Sequence, residues 1–176
     1  MRKLSNEELY RKSVEELKTI SKNPIVVVLD NVRSLNNIGS VFRTSDAFLI
    51  EKIYLCGITG TPPHNDINKT ALGATDSVAW EYSAKTLDTM QKLKSEGYIL
   101  IAIEQADNAT MLNEFHPKKD QKYAVIFGNE AYGVDQEVVS ASDLCIEIPQ
   151  FGFKHSLNIS VSVGVVLWDL VGKINF

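Results

Sequence analysis

Cysteine is scarce in this chain. Cys56 and Cys145 are the only two among 176 residues, and both lie in or beside apolar, strand-like runs. Two isolated cysteines make neither a disulfide framework nor a zinc motif, so both read as core residues. His64, His116 and His155 are scattered, with no two at a metal-ligand spacing, and no metal is expected. Positive charge is sparse too. With four arginines and a formal charge of −4, the chain is not composed as a strongly electrostatic nucleic-acid binder, although a local patch stays open. No apolar run reaches bilayer length, and the charged start MRKLSNEELYRKSVEELK lacks the shape of a secretion signal. A cytoplasmic protein with no membrane partner is the expectation. Neither G-x-G-x-x-G nor G-x-x-x-x-G-K-[ST] occurs, which weakens a dinucleotide dehydrogenase or a P-loop phosphotransferase.

What is present is apolar residue in strand-sized blocks. An apolar content of 44% suits a single domain over residues 1–176, with an N-terminal helical extension (1–22) and a core over 25–171. The extension predicts a helix from about Asn6 to Ser21, with Leu9, Val14, Leu17 and Ile20 at helical spacing and Ser5 with Glu8 as a capping box. Its basic residues read first as solvated charge on an edge helix and second as a guide for RNA. Ile25 to Leu29 is the clearest buried strand, ending at Asp30. The chain then enters a helix with Asn36 or Asn37 suited to the N-cap. Ile38, Val41, Phe42, Ser45 and Phe48 or Leu49 face inward, while Asn36, Gly39, Arg43 and Asp46 share the other face. Arg43 then either reaches over the end of the first strand or simply pairs with Asp46 at i+3.

The middle predicts strands at Lys52–Leu55, Ser77–Tyr82 and Tyr98–Ile103, a loop over Gly57–Asn65 and a helix over Leu87–Glu96. Alternation of strand and helix favours an α/β sheet covered on both faces. The last third is the most informative. Tyr123 to Phe127 reads as a buried strand opening into a turn of Gly128, Asn129, Glu130 and Gly133. A second apolar run, Leu144 to Ile148, ends at Pro149, Gly152 marks a tight loop, and Ser156 starts a final helix to about Val171 that is apolar almost all round. Two strand ends and one helix start would meet at a crevice, the default ligand position of an open α/β sheet. The final helix calls for cover on two sides, by the sheet and by a second subunit, and Ser156, Ser160 and Gly164 form a line of small residues along it.

Three ordered segments, N-N-I-G-x-x-x-R at Asn36–Arg43, F-G-N-E-x-x-G at Phe127–Gly133, and I-P followed by S-L-N-I-S at Ile148–Ser160, resemble motifs 1 to 3 of the SpoU/TrmH branch of the SPOUT RNA methyltransferases. The resemblance spans roughly Ile25 to Val171. It implies a mostly parallel α/β fold with helices on both faces and a C-terminal deep trefoil knot, an exception to the rule against knots. It also implies a homodimer that uses S-adenosylmethionine to methylate a ribose 2′-hydroxyl of tRNA or rRNA, with tRNA preferred. Carried over by motif, Gly128, Ile148 and Leu157 would hold the cofactor, largely through backbone groups, with Phe127, Gln150, Gly152 and Ser156 completing the pocket. Arg43 corresponds to the catalytic arginine, with Asn37, Glu130, Ser156 and Asn158 around it. A knotted RNA-binding relative without turnover, or another nucleotide-binding α/β enzyme, are the alternatives.

Overall fold

Strand β1 (Asn23–Asp30) is the axis of the molecule. Its residues Ile25 to Leu29 are at most 1% exposed, and it pairs in parallel with β2 (Ile50–Cys56) on one side and β6 (Lys122–Phe127) on the other. This computed structural model describes residues 1–5, 8, 9 and 12–175. The remaining strands are β3 (Trp80–Ser83), β4 (Tyr98–Ile103), the two-residue β5 (Thr110–Met111) and β7 (Leu144–Glu147). Among the described residues they form one sheet in the order β3-β2-β1-β6-β4-β7-β5, with every pairing parallel. The two late strands each insert between earlier ones, β6 between β1 and β4, and β7 between β4 and β5.

Because side chains alternate across a strand, β1 feeds two cores. Ile25, Val27 and Leu29 pack with Ile38, Val41 and Phe42 of α2 (Leu35–Ala47), Ile67 of α3 (Asn65–Ala71), Ala74 of α4 (Ala74–Ser77), and Val163, Val166, Leu167 and Leu170 of α7 (Ile159–Asn175). Val26 and Val28 face the other way, toward Met90 and Leu93 of α5 (Thr86–Ser95) and Val138 of α6 (Gln136–Ala141). Strands buried on both faces are what continuous apolar runs encode.

Several expected boundaries move. The N-terminal helix α1 covers Val14–Thr19, with Ser13 and Glu16 as a complete capping box. Part of the range expected to be helical, residues 6, 7, 10 and 11, lies outside the described residues. Ser34, not Asn36 or Asn37, caps α2, its hydroxyl accepting the Asn37 N–H at 3.3 Å. Gly39 belongs to the buried face, not the outer one. A Cβ there would sit 2.1 Å from the Thr70 hydroxyl and 2.2 Å from the Ile67 carbonyl, so glycine permits the close approach of α2 and α3. Helix α3 falls just beyond the expected loop, and the His64 ring caps it by accepting the Asp66 N–H at 3.1 Å. β3 starts three residues late because residues 74–77 are helical. α7 begins at Ile159 rather than Ser156, since Asn158 accepts N–H and O–H from Ser160 and thereby serves as its cap. Among the described residues no helix is long and apolar enough to cross a membrane.

Candidate functional site

Parallel strands leave their last backbone groups unpaired at the carboxyl edge of the sheet, and a cavity of about 520 Å³ opens there beyond β4, β6 and β7. One wall is the turn after β6. Gly128 is required in it, because a Cβ at that position would lie 2.1 Å from the Gly133 carbonyl carbon and the Val134 nitrogen. Gly133 has φ 72°, the left-handed region that favours glycine. Asn129 and Gly133 exchange two backbone hydrogen bonds, at 2.8 and 2.9 Å. The buried Asn129 side chain locks the turn further: its amide donates to the Asn31 carbonyl at 2.8 Å and its oxygen accepts N–H from Ala131 and Tyr132.

Glu104, at the end of β4, supports this wall from below. Its carboxylate accepts the Val134 N–H at 2.9 Å and the Gln105 N–H at 2.8 Å, and it fills the space that a Cβ on Gly133 would need. Glu104 was not among the expected site residues. Its one sequence signal is that it follows an apolar strand run, the same strand-end position that Asp30 occupies after β1.

The second wall is the irregular segment between β7 and α7. Ile148, Gln150, Ser156, Leu157 and Asn158 line the cavity from this side, as Phe127, Gly128 and Glu130 do from the other. His155 joins them, its carbonyl accepting from the Gln105 amide at 3.1 Å. Gly152 does not line the cavity; it sits in the exposed part of the segment with nothing within 4 Å of a would-be Cβ.

Beside the cavity the three motif segments are joined by one row of hydrogen bonds. Asn158 donates to the Asn37 side-chain oxygen at 3.2 Å, and the Asn37 amide donates to Glu130 at 3.2 Å. Glu130 in turn accepts the backbone N–H groups of Arg33 at 2.9 Å and Ser34 at 2.8 Å, so its carboxylate sits at the start of α2, where negative charge is favoured. Partial burial alone would raise the Glu130 pKa, but these backbone N–H groups and Asn37 outweigh it and hold the carboxyl below its ordinary value. A carboxylate so engaged anchors and orients. It is a poor acceptor for a proton from substrate.

Arg43 is absent from both the row and the cavity lining. It lies six residues beyond Asn37, about 9 Å along the helix axis, on the exposed face of α2. Nor does it pair with Asp46, whose carboxylate instead accepts the Ser77 hydroxyl. Among the described residues Arg43 makes no ion pair. No cluster of three or more metal-ligating side chains occurs among them either.

A wholly parallel α/β sheet with its ligand crevice built from a glycine turn, a strand end and a helix start defines a class of nucleotide-site proteins. Within that class, the model of the SpoU rRNA Methylase family matches residues 24–168, and the chain belongs to this family. Over 162 residues it is 29% identical to the tRNA (guanosine(18)-2'-O)-methyltransferase of Thermus thermophilus, an alignment covering 92% of this chain and 81% of that one. Its fold is similar to the crystal structure of the A. aeolicus TrmH/SpoU tRNA modifying enzyme, with TM-score 0.81 and 24% identity over 91% of this chain and 80% of that one. It is also similar to an AdoMet-bound rRNA methyltransferase from Sinorhizobium meliloti, with TM-score 0.78 and 24% identity, covering 87% of this chain but 58% of that one.

Proposed function

We propose that this chain is an S-adenosylmethionine-dependent RNA methyltransferase acting on a ribose 2′-hydroxyl, on tRNA in preference to rRNA. The observation that carries this reading is the convergence of the three motif segments on one glycine-walled cavity at the carboxyl edge of the sheet. The residues present fit the cofactor: about 520 Å³ is within the range of small-molecule sites, and Gly128, Ile148 and Leu157, at strand ends and loops, line it together. Phe127, Gly128, Ile148, Gln150, Ser156 and Leu157 would hold it. When bound, it supplies a methyl carbon made electrophilic by the sulfonium.

The chain's own residues must then deliver and activate a weak nucleophile. A 2′-hydroxyl attacks in line with the departing sulfur and loses its proton as it does so, which demands fixed orientation. Asn158, Asn37 and Glu130 keep the starts of α7 and α2 in fixed relation to the cavity. Arg43 carries a planar fork of N–H donors, suited to gripping the substrate phosphate and orienting the hydroxyl rather than taking its proton. The named relative from Thermus thermophilus, a tRNA enzyme matched over most of both chains, supports the tRNA preference.

The same reading includes a homodimer. Val161, Val165 and Trp168 of α7 are 50%, 38% and 67% exposed, an apolar stripe left bare on the side of the helix away from the core and suited to a second copy. α2, which carries Arg43, packs beside α7. It includes as well a cytoplasmic location, a single domain, and a deep C-terminal knot, which the late insertion of β6 and β7 between earlier strands makes topologically accessible.

Two measurements test it. Calorimetric titration with S-adenosylmethionine should show saturable binding, and 2′-O-methyl mapping of total RNA from a deletion strain should show a lost mark. Arg43→Ala should keep cofactor binding and lose methyl transfer by at least two orders of magnitude; an active variant would remove Arg43 from the mechanism.

A further inference from the structure

The two segments that wall the cavity carry three bare aromatic rings. Phe151 and Phe153 are 98% and 90% exposed, and Tyr132 is 85% exposed. The two phenylalanines lie between Gln150 and His155, both of which line the cavity, while Tyr132 lines it from the turn after β6. Scattered exposed apolar residues are ordinary, but three rings on the two segments that wall one cavity make a feature of those walls. The fold does not require them, since residues 148–158 form neither helix nor strand and Phe151 to Asn158 are all exposed. Cations accompany the rings. The Lys154 Nζ stands 6.0 Å from the Phe153 ring centroid, and Arg33 is exposed on the same rim, its backbone N–H held by Glu130. Neither makes an ion pair among the described residues.

We infer that Phe151, Phe153 and Tyr132 are substrate-positioning residues that stack on the unpaired base of the target nucleotide, with Lys154 and Arg33 taking the neighbouring phosphates. This rests on the RNA-methylation reading above and adds to it how the RNA is held. Delivering a ribose into the cavity obliges its base to leave its own stack, and unstacked RNA bases are held on aromatic faces. A net charge of −4 leaves little general attraction for a polyanion, so contact at the opening has to supply the grip. A protein partner seated on the rings would sit over the mouth through which substrate must enter. The bare stripe of Val161, Val165 and Trp168 on α7 is assigned to the second copy.

The test compares Phe151→Leu, Phe153→Leu and Tyr132→Leu with Phe151→Trp and Phe153→Trp, because leucine keeps apolar bulk and tryptophan keeps the π face. Initial rates of tritiated methyl transfer are measured on total RNA from a deletion strain, alongside S-adenosylmethionine affinity by calorimetry. Each leucine variant should lose about tenfold in kcat/KM for RNA, mostly through KM, with cofactor affinity unchanged and activity retained in the tryptophan variants. On short oligoribonucleotides spanning the mapped nucleotide, an abasic ribose at that position should weaken the wild type by a similar factor, and the leucine substitutions should then cost nothing further.

Leucine variants as active as wild type on total RNA would overturn the inference. A loss that persists undiminished on the abasic oligonucleotide would do the same, as would a change in oligomeric state on size-exclusion chromatography with light scattering. A wild-type protein that neither binds the cofactor nor methylates RNA would defeat the underlying reading itself, a result distinct from an active enzyme indifferent to its rings.

Discussion

The two walls of the cavity are built on opposite terms. The Gly128–Gly133 turn is held by paired backbone hydrogen bonds, by a buried asparagine making three more, and by a carboxylate beneath it. The segment from Phe151 to Asn158 is exposed throughout, tied to the rest through the His155 carbonyl and the Asn158 amide. The first wall is fixed backbone to backbone although Glu130, Ala131 and Tyr132 face solvent; the second resembles a loop carried on a scaffold, where recognition residues concentrate. The difference teaches which half holds shape for a small rigid ligand and which half is open to a large one.

Gly128→Ala strikes the firm wall hardest. A Cβ at 2.1 Å from backbone cannot be relieved by a rotamer change, so the turn must move, and S-adenosylmethionine affinity should fall by about a hundredfold, roughly 3 kcal/mol. Normal binding by this variant in a calorimetric titration would erase the distinction between the walls.

Asn129→Ala should come next, losing about 1–2 kcal/mol in urea unfolding because the buried Asn129 amide's part-buried N–H and C=O partners are left unmet.

Glu130→Gln should be milder and pH-dependent. Its folded pKa is depressed, so its contribution is present above the ordinary carboxyl value and is lost as pH falls through the still lower folded value. The Tm of wild type should therefore exceed that of the variant at pH 7, with the gap closing under acid; a gap constant with pH would mean that the charge plays no part.

Gly152→Ala should be nearly silent, within about 0.5 kcal/mol, since nothing lies within 4 Å and the backbone there is not left-handed. A large effect would show that the open wall is packed like the firm one.

Much of the scaffold could be read from residue order. β4 occupies the expected Tyr98–Ile103, and the apolar blocks at Ile25–Leu29 and Tyr123–Phe127 are central strands because only a sheet covered on both faces accepts such runs. The cavity residues expected from the glycine turn and the I-P strand end, from Phe127 to Leu157, line one opening, Gly152 excepted. Helix starts were harder. Ser34, Asn36 and Asn37 are all good caps by type, and the choice of Ser34 follows from where the chain leaves β1. α3 has no clear local signal, because its cap is a histidine placed after two prolines, a pattern that reads as loop.

Apolar periodicity and the spacing of glycine, proline and asparagine sufficed to place strands, turns and the family to which the chain belongs, because each is a local demand on φ, ψ or burial. Contacts between residues 30 to 121 positions apart carry no such local signature. Glu130 meeting the N–H groups ahead of α2, Asn158 meeting Asn37, and Glu104 rising under Gly133 all arise when parallel strands bring distant chain ends to one edge of the sheet. For the same reason, the place of Arg43 outside the cavity of its own chain followed from the path of α2 and not from the motif that contains it.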